Sequence, residues 1–131
     1  MEARNFQTAN EIIENDNWLL PTLNDEPRYQ KPPLPTWLTA LSVLLFNSKA
    51  VIFYRIPAIL FLFIIGATSY FFSLRINFNK SESIINGLIT VSSIYIIAII
   101  FEAPWDIFAH GFMFIAIYYL FNSFKNSFTK N

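Results

Sequence analysis

The chain has 131 residues, 54% of them hydrophobic and 14% charged, with nine acidic and nine basic side chains. Soluble domains carry about a quarter charged residues, so an ordinary soluble globule is excluded, and zero net charge without a basic run excludes a nucleic-acid partner. The absence of Cys removes a disulfide framework and thiolate metal sites, and three Gly leave no phosphate-cradling loop.

The charges are uneven: residues 1–50 hold six of the nine acids and four of the nine bases. No signal peptide opens the chain, because Met1 to Asn5 has neither a basic n-region nor an apolar h-region. Residues 2–15 predict an amphipathic helix, with Phe6, Ala9, Ile12 and Ile13 on one side and Glu2, Arg4, Gln7, Asn10, Glu11 and Glu14 on the other. Its narrow stripe is expected to rest on protein or on the membrane face. The turn formers Asn24-Asp25, followed by Glu26-Pro27, predict short extended pieces around a turn.

Tyr29-Gln30-Lys31-Pro32-Pro33-Leu34-Pro35-Thr36-Trp37 joins this polar part to the apolar part. Its three prolines predict a rigid extended segment over Lys31–Pro35 that carries one cation to the membrane edge. Trp37 falls where an indole would sit among headgroups. Such a lysine can hold a phosphate as a point charge; the plainer alternative is a linker whose lysine meets lipid headgroups.

Thr36 to Phe46 is too short to cross about 30 Å of hydrocarbon and reads as a juxtamembrane helix. Three spans follow, at about 56–74, 84–101 and 107–124, making an all-α integral membrane protein. The first is expected to begin at Ile56, with Arg55 at its mouth, reaching headgroups or binding an anion. Arg75 and Lys80 share one side with Lys125 and Lys130, whereas the turn 102–106 has no base. The distribution of basic residues therefore puts residues 1–50 outside and the C-terminus in the cytoplasm.

Asp106 and His110 are four residues apart and would share a helix face if the helix starts near Pro104. Asp106 reads either as a functional carboxylate at the outer face or as a first-turn residue favoured by the helix dipole. The pair could supply two metal ligands, and two without a third do not make a site; no metal is assigned, and a divalent ion stays open. The many aromatics read as packing and interface residues.

Taken in order, Glu2-Ala3-Arg4, Asn17-Trp18-Leu19-Leu20-Pro21-Thr22-Leu23-Asn24, Glu26-Pro27, Lys31-Pro32-Pro33-Leu34-Pro35-Thr36-Trp37-Leu38-Thr39-Ala40 and Arg55-Ile56-Pro57-Ala58 resemble the N-terminal part of GT-C membrane glycosyltransferases. The likeness is to bacterial undecaprenyl phosphate-aminoarabinose (lipid A) transferases and, more distantly, to protein O-mannosyltransferases. It implies a partial GT-C fold in a bacterial inner membrane, with sugar moving from a polyprenyl-phosphate donor to a lipid or protein acceptor on the outer face. It implies Lys31 as the phosphate ligand, to which the residue pattern adds Arg55, and Glu2 and Asp106 as catalytic carboxylates. Where the resemblance calls for an Asp before Glu2 the chain has Met1, and Gln30 stands where relatives have an acid. A first transmembrane helix, further spans and a soluble domain are also missing, so the chain is expected to be a fragment or truncated reading frame, inactive as it stands. The alternatives are a non-catalytic membrane protein that binds polyprenyl phosphate and an enzyme of the protein O-mannosyltransferase kind.

Overall fold

The computed structural model describes the backbone of residues 2–102 and 104–128 and the side chains of residues 3–100 and 105–126. Helix α1 (Glu2–Asn15) leads to a two-residue hairpin, β1 (Thr22–Leu23) with β2 (Glu26–Pro27), and then to α2 (Pro33–Phe46), α3 (Val51–Arg75), α4 (Lys80–Ser92), α5 (Ile94–Glu102) and α6 (Pro104–Phe128). Asn24 and Asp25 both take positive φ, as a type I′ hairpin turn requires.

The apolar stripe of α1 rests on protein. Ala9 and Ile12 are fully buried against Ala40 and Val43 of α2 and Tyr54 of α3. Phe6 packs on the Tyr54 ring at 4.6 Å, and the Tyr54 hydroxyl donates to Asn10 Oδ1 at 2.5 Å. Lys49 and Glu14, 2.5 Å apart, tie the far end of α1 to the α2–α3 corner.

Two boundaries differ from the sequence expectation, for a shared reason. The proline segment does not stay extended to Pro35; α2 begins at Pro33, with Pro32 as its N-cap. The first N–H groups of a helix have no internal acceptor, so prolines in that turn cost little and their fixed φ suits it. Likewise α3 does not wait for Ile56 but starts at Val51 and runs through Pro57. Pro57 deprives the Phe53 carbonyl of its usual donor, and the Ser42 hydroxyl of α2 fills that place at 2.7 Å.

Helices α3 and α6 are each long and apolar enough to cross a membrane, and α4 with α5 passes the same test as one pair bent by 52°. The residue pattern predicts one unbroken helix from Ile84. Instead α4 starts at Lys80, where Asn79 and Glu82 form a reciprocal capping box, and the chain breaks at Ser93. Ser93 is extended, and its Oγ accepts the Ile96 N–H at 3.4 Å, restarting the helix as a cap would.

The bent pair travels the length of α3. At one end Phe61 of α3 meets Phe108 of α6 (4.6 Å), and at the other Phe72 meets Phe121 (5.1 Å). Lys125 Nζ donates to the Arg75 carbonyl at 2.5 Å, so the C-termini of α3 and α6 lie together. A chain leaving α3 at Arg75 and entering α6 at Pro104 must therefore cross back between them.

The helices approach closely at small residues. A methyl group on Gly87 would stand 3.0 Å from the Gly66 carbonyl oxygen, and one on Gly111 would stand 2.4 Å from Phe61. Ser69 and Thr90 share a hydrogen bond at 2.9 Å, and Asn86 donates to Ser73 at 3.2 Å, joining α3 to α4 by polar contacts suited to lipid. Large apolar side chains such as Leu60, Phe63, Ile89 and Tyr119 face outward, as they do on a surface solvated by hydrocarbon. The protein is an all-α membrane protein.

Candidate functional site

Pro104 occupies the first position of α6, which puts Trp105 and Asp106 in its first turn. Trp105 is buried, 4% exposed, and its indole N–H points at Thr36 Oγ1 of α2, 3.4 Å away. The Thr36 hydroxyl donates to Asn5 Oδ1 (3.1 Å), and Asn5 Nδ2 donates to Thr39 Oγ1 (3.2 Å). Asn5, Thr36 and Thr39 are all buried. This satisfied polar chain locks α1, α2 and the head of α6 into one arrangement.

Two cations share the Trp105 ring. The Arg28 guanidinium carbon lies 4.6 Å from the ring centroid and the Lys31 ammonium 5.6 Å from it. Both are within cation–π range, worth about 0.5–1 kcal/mol at exposed sites and about 2 when desolvated. Arg28 is half-buried and its Nη1 donates to the Arg4 carbonyl (3.2 Å) and to Thr8 Oγ1 (2.7 Å), both on α1. Burial and then the Arg4 charge pull the Arg28 guanidinium below its ordinary value, and arginine stays protonated all the same. Lys31 is exposed. Among the described residues, neither cation has a carboxylate within ion-pair distance.

Arg28 owes its position to the hairpin, which Glu11 docks on α1. The Glu11 carboxylate accepts from Thr22 Oγ1 at 2.6 Å and from the Asn24 N–H at 2.8 Å, and the Arg28 N–H closes the hairpin onto the Pro21 carbonyl at 2.8 Å. Burial pushes the Glu11 carboxyl up, and hydrogen bonds from Thr22, Asn24, Asp25 and Gln7 outweigh it, so the group lies below its ordinary value.

The structure brings Lys31 and Asp106 to the same end of the molecule, joined through Trp105. Asp106 is exposed at the N-terminus of α6, where the dipole favours a carboxylate. Glu2 begins α1, two residues before the Arg4 carbonyl that Arg28 holds, and its side chain lies outside the described residues, as do the side chain of Glu102 and all of Lys130. Arg55 is half-buried in the second turn of α3, next to Tyr54. His110 does not pair with the Asp106 carboxylate. Its Nδ1 lies 2.6 Å from the Asp106 backbone carbonyl, which only accepts, so Nδ1 carries the proton and Nε2 faces the Tyr95 hydroxyl at 3.3 Å. Among the described residues no group of three or more His, Cys, Asp or Glu could hold a metal ion.

Arg28, Trp105, Asn5 and Thr36 escape a reading by motif. The available signals were an arginine three residues before Lys31 and a Trp beside Asp106 at a helix start; only the folded chain joins them.

The comparisons with known proteins bear on this end of the molecule. The family model for dolichyl-phosphate-mannose-protein mannosyltransferase matches residues 30–130, from the residue before Lys31 through α6. The chain belongs to that mannosyltransferase family. Its GT-C resemblance thus extends over the juxtamembrane helix and every apolar helix. An undecaprenyl phosphate-alpha-4-amino-4-deoxy-L-arabinose arabinosyl transferase of Shewanella sediminis (strain HAW-EB3) is 35% identical over 48 residues, 37% of this chain and 9% of that protein. The chain therefore matches less than a tenth of the length of that curated relative. No solved structure matches the chain.

Proposed function

We propose that this mannosyltransferase-family chain forms the donor-phosphate end of a membrane glycosyltransferase that moves a sugar from a polyprenyl-phosphate donor to an acceptor hydroxyl on the outer face of the membrane. The observation that carries this reading is the pair Arg28 and Lys31 on the Trp105 ring, at the end of the apolar helices where Asp106 stands. Cations fixed at that level suit a lipid phosphate whose prenyl tail lies along the helices. An apolar groove of about 390 Å³ between α2 and α3, lined by Leu38, Leu41, Leu45, Ile56 and Leu60 among others, offers such a tail a path.

In this mechanism Lys31, with Arg55 as a further candidate, holds the donor phosphate and stabilises it as it departs. Asp106 and Glu2 are the carboxylates proposed to orient the acceptor hydroxyl and take its proton. The relative's printed name favours a lipid-linked aminoarabinose donor, and the family's printed name favours a protein acceptor. The bacterial inner membrane, with residues 1–50 outside, is the location this chemistry calls for.

The test is polyprenyl-phosphate binding by the protein in lipid nanodiscs. Lys31→Ala is expected to weaken it at least about tenfold, the worth of one charge-assisted contact. Unchanged affinity would remove the phosphate reading and leave a structural lysine.

A further inference from the structure

Lys31 and Arg28 carry the same charge in different settings. Lys31 is exposed beside the helix-starting prolines, whereas Arg28 is half-buried and its fork is fixed by the Arg4 carbonyl and the Thr8 hydroxyl. Both lie against one ring, itself held by Thr36 and Asn5. Arg28 also meets the like charge of Arg4, a repulsion that the ring offsets in part and no carboxylate among the described residues relieves.

A glycosyl polyprenyl phosphate is a diester with one negative charge. In transfer, the bond from the anomeric carbon to the phosphate oxygen breaks and its electron pair stays on that oxygen. The acceptor oxygen bonds to the anomeric carbon and gives its proton to a base. The phosphate leaves as a monoester, which carries two charges above about pH 6. Its charge doubles in the step.

We propose that Arg28, oriented on Trp105 beside Lys31, answers this second charge: Lys31 binds monoester and diester alike, Arg28 discriminates between them, and Trp105 is a positioning residue for both. This rests on the polyprenyl-phosphate reading above.

The experiment compares binding of a polyprenyl phosphate and its methyl diester to the whole protein in nanodiscs between pH 5 and 8. The unmodified protein is expected to prefer the monoester about tenfold at pH 8, the worth of one added charge-assisted hydrogen bond, and to lose the preference as pH falls through about 6. The neighbouring ionisable groups are Arg4, Asp106 and, one turn on, His110; the diester, whose charge is constant, is the control for them. Arg28→Gln should abolish the preference at every pH, and Arg28→Lys, which keeps the charge but loses the planar fork, should keep part of it. Trp105→Leu should abolish the preference and, by freeing Lys31 as well, weaken binding of both lipids, whereas Trp105→Phe, which retains a ring face, should keep the preference. A preference that does not vary with pH, or one that survives Arg28→Gln, overturns the assignment. If Lys31→Ala weakens both lipids while Arg28→Gln leaves their ratio unchanged, only Arg28 is lost. If neither lipid binds, or Lys31→Ala changes neither affinity, the polyprenyl-phosphate reading fails and takes this inference with it.

Discussion

Glu11 docks the hairpin by accepting from the Thr22 hydroxyl and from backbone N–H groups of the turn. Those donors favour the ionised form, which leaves the carboxyl below the ordinary value of 4.5 despite burial. A lowered folded value means the contribution is present above the unfolded pKa and is lost as pH falls through the folded one. Amide exchange at Asn24 and Arg28, taken relative to the intrinsic rate at each pH, should therefore quicken below pH 4.5, with α3 unaffected. Glu11→Gln should quicken it at neutral pH, by about 1 kcal/mol of lost protection, because one amide atom then presents a donor to donors. Equal protection in the variant would mean that Glu11 does not hold the hairpin. Lys31 stands out in the sequence as a candidate because prolines and apolar sequence surround it. Arg28 does not, because its meaning comes from Trp105, far along the chain, and from a hairpin whose docking needs the α1 face.

The helices follow the apolar pattern closely, and their ends and breaks follow contacts. The sequence pattern starts the span at Ile56, because Arg55 and Pro57 read as interruptions of the apolar run that begins at Ala50; a serine on another element removes the penalty of the proline. Ser42→Ala should leave the Phe53 carbonyl unpaired and cost about 1 kcal/mol, within the range for hydrogen bonds between membrane helices. In a Pro57→Ala background the restored N–H at residue 57 reaches that carbonyl, and Ser42→Ala should be nearly neutral. Thermal unfolding of the four proteins in detergent gives the coupling, and additive effects would show that Ser42 does not serve Pro57. The break at Ser93 was equally hidden, since an isoleucine-rich run reads the same in a straight or a bent helix. Gly111 belongs at this scale too: its missing side chain admits the Phe61 ring, which packs on Phe108 and Phe112. Gly111→Val should separate α3 from α6 and cost about 1–3 kcal/mol by overpacking; an unchanged melting temperature would mean that the ring moves aside freely.

At the scale of the whole molecule, polar layer and basic end lie at opposite ends of the same helices. Arg28, Lys31, Trp105 and Asp106 gather where α6 begins, while Lys125 and Asn126 meet Arg75 where α3 ends. The geometry fixes which residues share an end, and from the basic residues we propose the sign: the Arg75–Lys80 end inside, the hairpin outside. The bent pair is the critical step, because a re-entrant α4–α5 would return Pro104 to the Arg75 end, against the Trp105–Thr36 and Lys125–Arg75 contacts. With no native Cys, single cysteines can report each end in sealed cells. Asn24→Cys in the hairpin and Ser81→Cys at the start of α4 are both exposed positions. A membrane-impermeant maleimide should label Asn24→Cys in intact cells and Ser81→Cys only after permeabilisation. The reverse result would turn the molecule over and put the proposed phosphate-binding end in the cytoplasm, where an outer-face donor could not reach it. Labelling of both in intact cells would mean that α3 does not cross at all.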